Sequence, residues 1–76
     1  MPHIHVKIVG KTEEEKSKLA EAITKAVMDS VGSDEANISI RIEDIQKNHW
    51  VEDVYKNDIL NHWDLLYKKP GYNALQ

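Results

Sequence analysis

Asn37-Ile38-Ser39-Ile40-Arg41-Ile42-Glu43 alternates apolar and polar residues without a break. Ile38, Ile40 and Ile42 fall on one face of an extended chain, and Ser39, Arg41 and Glu43 on the other, so the stretch reads as a half-buried strand. An earlier segment, His3-Ile4-His5-Val6-Lys7-Ile8-Val9, has the same pattern, with Ile4, Val6 and Ile8 opposite His3, His5 and Lys7. Gly10 interrupts it. Between the two segments lies a helix signal. Thr12-Glu13-Glu14-Glu15 forms a capping box, and its three acids suit the positive end of a helix dipole. Leu19, Ile23, Val27 and Val31 then recur at spacing four, with Ala20, Ala22 and Ala26 beside them, and Gly32 is placed to end a helix over 13–31. Strand, helix and strand make a βαβ unit, whose right-handed crossover leaves the strands parallel.

Beyond the second strand, Val51, Val54, Tyr55, Ile59, Trp63, Leu66 and Tyr67 carry helical spacing. This predicts a C-terminal helix with Lys68 and Lys69 at its negative end and Pro70-Gly71 as its stop. The tail from Tyr72 to Gln76 has no assigned element. The fold class is α/β (α+β): a β-α-β protomer with a C-terminal helix, forming one domain over 1–76.

A two-stranded parallel sheet leaves edges and a face uncovered, and parallel sheets are normally covered on both sides. Size points the same way. The chain has 76 residues, and a 60-residue domain buries only about 60% of the surface its unfolded chain exposes. Small folds compensate with disulfides, metals or self-association. With no cysteine, disulfides, thiolate zinc sites and cysteine nucleophiles are all excluded. Oligomerisation that completes the sheet is therefore expected, a dimer before a hexamer. All five aromatics, Trp50, Tyr55, Trp63, Tyr67 and Tyr72, lie after Asn48 and are Trp or Tyr, types that favour interfaces. The C-terminal third is expected to supply much of the subunit contact.

The formal net charge is −3, with 41% apolar and 30% charged residues. That composition suits a globular protein and argues against nucleic-acid binding, which draws on phosphate neutralisation by basic groups. No apolar stretch is long enough for a membrane span. Met1-Pro2-His3-Ile4-His5 has no signal-peptide pattern, so a cytoplasmic location is expected.

Pro2 follows the initiator methionine directly. Trimming of Met1 would give it a free secondary amine on a rigid ring, leading straight into the first strand. An α-amino group has an ordinary pKa of about 7.7–8.0. An apolar pocket or nearby cations would lower it into the range that general acid–base catalysis uses.

Pro2-His-Ile-His-Val-Lys-Ile, the capped helix from Thr12, Asn37-Ile-Ser-Ile-Arg-Ile-Glu-Asp-Ile45 and Lys47-Asn-His-Trp50 together resemble the 4-oxalocrotonate tautomerase family. The ending Lys68-Lys69-Pro70-Gly71-Tyr72 is similar to its slightly longer, PptA-like bacterial subgroup. The resemblance covers nearly the whole chain. It implies an isomerase in which an amino-terminal proline, here Pro2, moves a proton from the hydroxyl of a small enol acid to a carbon further along, without cofactor or metal. It puts Lys11 near the family arginine that grips a substrate carboxylate, and Trp50 on the aromatic that keeps the pocket apolar. Two positions depart from the pattern. Lys11 lacks the guanidinium fork. The second-strand arginine aligns with Ser39, while Arg41 lies two residues on, on the same strand face but about 6–7 Å further along.

Three other readings compete. His3 and His5 share a strand face and with His49 or His62 offer imidazoles to a metal, although solvent-facing or substrate-lining roles fit their surroundings better. A non-catalytic oligomeric interaction module would look similar. So would a hydratase or dehalogenase on the same scaffold, with Glu43 or Asp44 activating water.

Overall fold

The computed structural model describes residues 1–76. Two compact units divide the chain, Met1–Asp44 and Ile45–Gln76. In the first, β1 (His3–Ile8) is followed by α1 (Glu13–Val31) and β2 (Ser39–Asp44). The two strands pair in parallel, as expected, with His3 opposite Ser39, His5 opposite Arg41 and Ile8 opposite Asp44. Ile4 and Val6 are in register with Ile40 and Ile42, and all four are half-buried. β2 starts at Ser39 rather than at Asn37, because Glu35–Asn37 forms a 3-10 turn. The Asn37 amide donates to Asp34 and that of Ile38 to Glu35, which leaves the first ladder bond to Ser39.

α1 begins and ends where the sequence signals lie. Thr12 is the N-cap: its hydroxyl accepts from the Glu15 amide at 3.1 Å, and its own amide donates to the Glu15 carboxylate at 2.9 Å. Gly32 closes the helix in the left-handed region at φ 71°, its amide donating to the Met28 carbonyl, a conformation that glycine adopts without Cβ strain. Of the predicted stripe, Leu19, Ile23 and Val27 are half-buried while Val31, at the last turn, is exposed, and the helix packs against β2. Lys16 fastens the start of α1 to the end of β2 through Asp44 at 2.7 Å.

The capping box also sets a pH response. The Thr12 amide, then its hydroxyl, then the Lys11 charge hold the Glu15 carboxyl below its usual range, against a smaller upward push from desolvation. A depressed carboxyl stabilises the fold above its unfolded pKa, and that contribution is lost as pH falls through the folded value. Asp44, and after it Glu13, hold the Lys16 ammonium above its usual range. That contribution is complete below the ordinary lysine value and disappears as pH rises through the folded one. Replacing Thr12 by alanine is expected to cost about 1 kcal/mol. Urea melts should register this loss at neutral pH, and the gap from wild type should narrow in acid as Glu15 protonates.

The second unit departs from the expected helix. A 3-10 turn at Lys47–His49 leads into a π-helix, Val51–Ile59, and then a 3-10 helix, Leu60–Leu65. At their junction the Leu60 amide is shared between the Lys56 and Tyr55 carbonyls. His62 departs from helical geometry at φ −126°, and Leu66 is already extended. Helical winding thus ends at Leu65, and Lys68, Lys69 and the Pro70-Gly71 stop lie beyond it. The apolar spacing had suggested continuity, but Asn57, Asp58, Asn61, His62 and Asp64 are weak helix formers whose short side chains compete for local hydrogen bonds. The Asn57 side chain donates to the neighbouring Asp58 carboxylate at 3.0 Å.

Val54 and Tyr55, at 4% and 3% exposure, are the only buried residues of the chain, and none of the first unit is fully buried. Val31, Leu65, Tyr67 and Leu75 all expose more than half of their surface.

Candidate functional site

The Pro2 end of the sheet is tied down by backbone and side chain together. The Ser39 amide donates to the Pro2 carbonyl at 3.2 Å. Directly beside it the Ser39 hydroxyl meets His3 Nδ1 at 2.7 Å. Pro2 is half-buried, whereas His3 and Ser39 are exposed. One pleat further along, His5 Nε2 lies 2.8 Å from Glu43 Oε1, and the same oxygen is 3.7 Å from an Arg41 nitrogen. The polar face of the sheet therefore carries two groups: His3 with Ser39 near Pro2, and His5, Glu43 and Arg41 beyond them.

The sequence singled out Pro2, Lys11, Arg41 and Trp50, of which the first three belong to the first unit and Trp50 to the second. Pro2 and Arg41 belong to the same strand pair, with Arg41 in register with His5. Lys11 lies past the far end of β1, exposed, where its charge acts on Glu15. At about 3.3 Å per residue, β1 carries the chain roughly 20 Å from Pro2 to Ile8, beyond the reach of a lysine side chain. Within one protomer Pro2 and Lys11 thus stand at opposite ends of the strand. Trp50 belongs to the second unit, where it is half-buried and its indole N–H donates to the Tyr72 hydroxyl at 3.1 Å. The Tyr72 ring also meets that of Tyr55, with centroids 5.5 Å apart and 34° between planes.

Ser39 and Tyr72 carry contacts that the residue pattern did not reveal. Ser39 looked like an ordinary solvent-side strand residue, and Tyr72 lay in the unassigned tail. The resemblance had set Ser39 at the place of a family arginine, but its contact with His3 follows only from the parallel register, which sets residue 3 against residue 39. His3 is held by Ser39 and His5 by Glu43, and no three His, Asp or Glu side chains converge in a geometry that would hold a metal. A shallow groove runs along α1 past Ala20, Thr24 and Met28 to Glu35, and none of the four candidate residues lines it.

A parallel strand pair bridged by one long helix, with Pro2 directly before its first strand, makes an α+β protomer. The family model described as Tautomerase enzyme matches residues 2–59. A probable tautomerase of Xylella fastidiosa is 38% identical over 76 residues, covering 99% of this chain and 93% of that protein. Tautomerase PptA of Pectobacterium carotovorum is 39% identical over 75 residues, covering 96% and 99%. A solved structure of the 4-oxalocrotonate tautomerase isozymes from Methylibium petroleiphilum is 34% identical with a TM-score of 0.62, covering 64% of this chain and 81% of that one. The chain belongs to the tautomerase family, and with it to the isomerases. No helix is long and apolar enough to cross a membrane.

Proposed function

We propose that this tautomerase ketonises small enolisable 2-oxo acids, of the phenylpyruvate or 2-hydroxydienoate type, with the Pro2 amine as base and then acid. The observation that carries this reading is the Ser39 amide bond to the Pro2 carbonyl, which fixes the proline at the head of the sheet. Removal of Met1 turns the Pro2 nitrogen from a tertiary amide into a secondary amine. That amine takes the proton of the enol hydroxyl, the electron pair moves to form the ketone, and the proline returns the proton to the carbon at the far end of the conjugated system. Positioned proton transfer of this kind contributes about 10²- to 10⁴-fold to rate.

Lys11 and Arg41 hold the carboxylate or stabilise the developing enolate. Trp50 keeps the site apolar, which holds the amine in its neutral, basic form. The separation of Pro2 and Lys11 along β1 favours a homo-oligomer in which Lys11 approaches Pro2 from another copy. Residues 1–76 then act as one protomer of a cytoplasmic homodimer, and the reaction needs no cofactor.

Intact mass on protein made without an N-terminal tag, combined with an enol-ketonisation assay on the same sample, tests this. A mass lacking Met1 and a measurable catalysed rate are expected. Full activity in a sample whose mass retains Met1 would remove the proline amine from the mechanism.

A further inference from the structure

We propose that His3, held by Ser39, is a substrate-binding residue of this enzyme, and that its imidazole takes a carboxylate oxygen of a 2-oxo monoacid beside Pro2. The inference rests on Pro2 being the reacting group and adds a partner for the substrate at the same end of the sheet.

Three observations carry it. His3 directly follows Pro2, so its Cα is fixed about 3.8 Å from that of the proline. Its ring is not loose: Nδ1 lies 2.7 Å from the Ser39 hydroxyl, and the Ser39 amide simultaneously holds the Pro2 carbonyl at 3.2 Å. One serine thus sets both the proline backbone and the neighbouring imidazole. His3 and Ser39 are exposed, so a ligand can reach the imidazole beside the half-buried proline.

The hydroxyl is a suitable holder because it donates or accepts. When Ser39 O–H donates to Nδ1, the neutral ring carries its proton on Nε2. When the ring is charged, Nδ1–H donates to the hydroxyl and Nε2–H remains. In both states Nε2 presents a donor to an anionic oxygen.

The alternative cation on this face is placed less well. Arg41 stands in register with His5, about 6–7 Å further along the strand than Ser39. Its guanidinium lies near Glu43, which His5 also engages, so an anion at that level meets a carboxylate as well as the two basic groups. The charged groups sharing the face with His3 are Lys7 and the trio His5, Arg41 and Glu43, all beyond the first pleat. The resemblance expected an arginine at the position of Ser39. Here a shorter residue carries the donor of its strand partner, a device suited to a single carboxylate rather than to two.

Binding and turnover should be measured separately. Affinity for 3-phenylpropionate, an unreactive monocarboxylate, is read by titration against backbone and imidazole NMR signals. Ketonisation is followed with phenylpyruvate enol and with the enol of its methyl ester. A hydrogen bond to a charged group is strong enough that its loss weakens binding by about ten- to a hundredfold. His3→Ala should therefore raise the Kd for 3-phenylpropionate and the KM for the acid by that factor, with kcat changed less than about threefold and the ester nearly unaffected. His3→Gln, which keeps a donor without the charge, should fall between. Ser39→Ala should raise the same KM about three- to tenfold, and Ser39→Thr should restore it. A Kd within twofold of wild type in His3→Ala, or equal losses on acid and ester, would overturn the proposal. Wild-type protein that binds the carboxylate through His3 without ketonising either substrate would instead reject the proline reading and leave the binding role standing.

Discussion

Blocking the Pro2 nitrogen is expected to slow enol ketonisation by about 10²- to 10⁴-fold, the range that a positioned acid–base group supplies. A peptide extension that cannot be trimmed does this without altering any side chain. An amide nitrogen cannot accept the proton, yet the Ser39 bond to the Pro2 carbonyl and the His3–Ser39 contact are both retained. Pro2→Ala should behave differently. Once Met1 is removed the variant still ends in an amine, but a primary one without the ring's restricted φ. A loss of about ten- to a hundredfold in kcat/KM is expected, smaller than that of the blocked chain. The pH profile separates the two cases. Activity that depends on a free amine rises with pH through the pKa of that group, so the native acid limb should fall below the ordinary 7.7–8.0 of an α-amine if the site is apolar. Equal activity in blocked and native proteins would reject the amine as base.

Much of the first unit was legible because each of its signals is local. Thr12 and Glu15 satisfy each other's backbone within one turn, Gly32 is needed where φ is positive, and strand alternation needs no partner to be seen. Register is a long-range property, so the contact of His3 with Ser39 and the grouping of His5, Arg41 and Glu43 emerged only when residue 3 was set against residue 39. The second unit was harder for a related reason. Spacing reports which side chains share a face and says little about how tightly the backbone winds. A π-helix passing into a 3-10 helix keeps the apolar residues of Val51–Ile59 together while ending the helix earlier than Lys68. Lys69 then serves another purpose, lying over the Trp63 ring at 5.7 Å rather than at a helix end.

The same unit holds the largest expected stability effect. Tyr55→Ala removes one of the two buried residues of the chain, and truncating a large buried aromatic typically costs about 3–5 kcal/mol. Against a total of about 5–15 kcal/mol for a folded domain, that loss is severe. The ring also backs Tyr72, whose hydroxyl accepts from Trp50, so deleting it should release the tail and the indole together. An ordered series follows. Tyr55→Phe keeps the ring and should cost less than about 1 kcal/mol. Tyr72→Phe keeps the ring contact but loses the acceptor for Trp50, a change of about 1 kcal/mol. Urea melts followed by tryptophan fluorescence would rank them, with Trp63→Phe as the common background so that Trp50 alone reports. Protein concentration must be held constant, because association adds to the apparent stability of an oligomer. If Tyr72→Phe were as damaging as Tyr55→Ala, the indole–hydroxyl bond, rather than ring burial, would be what holds this unit together.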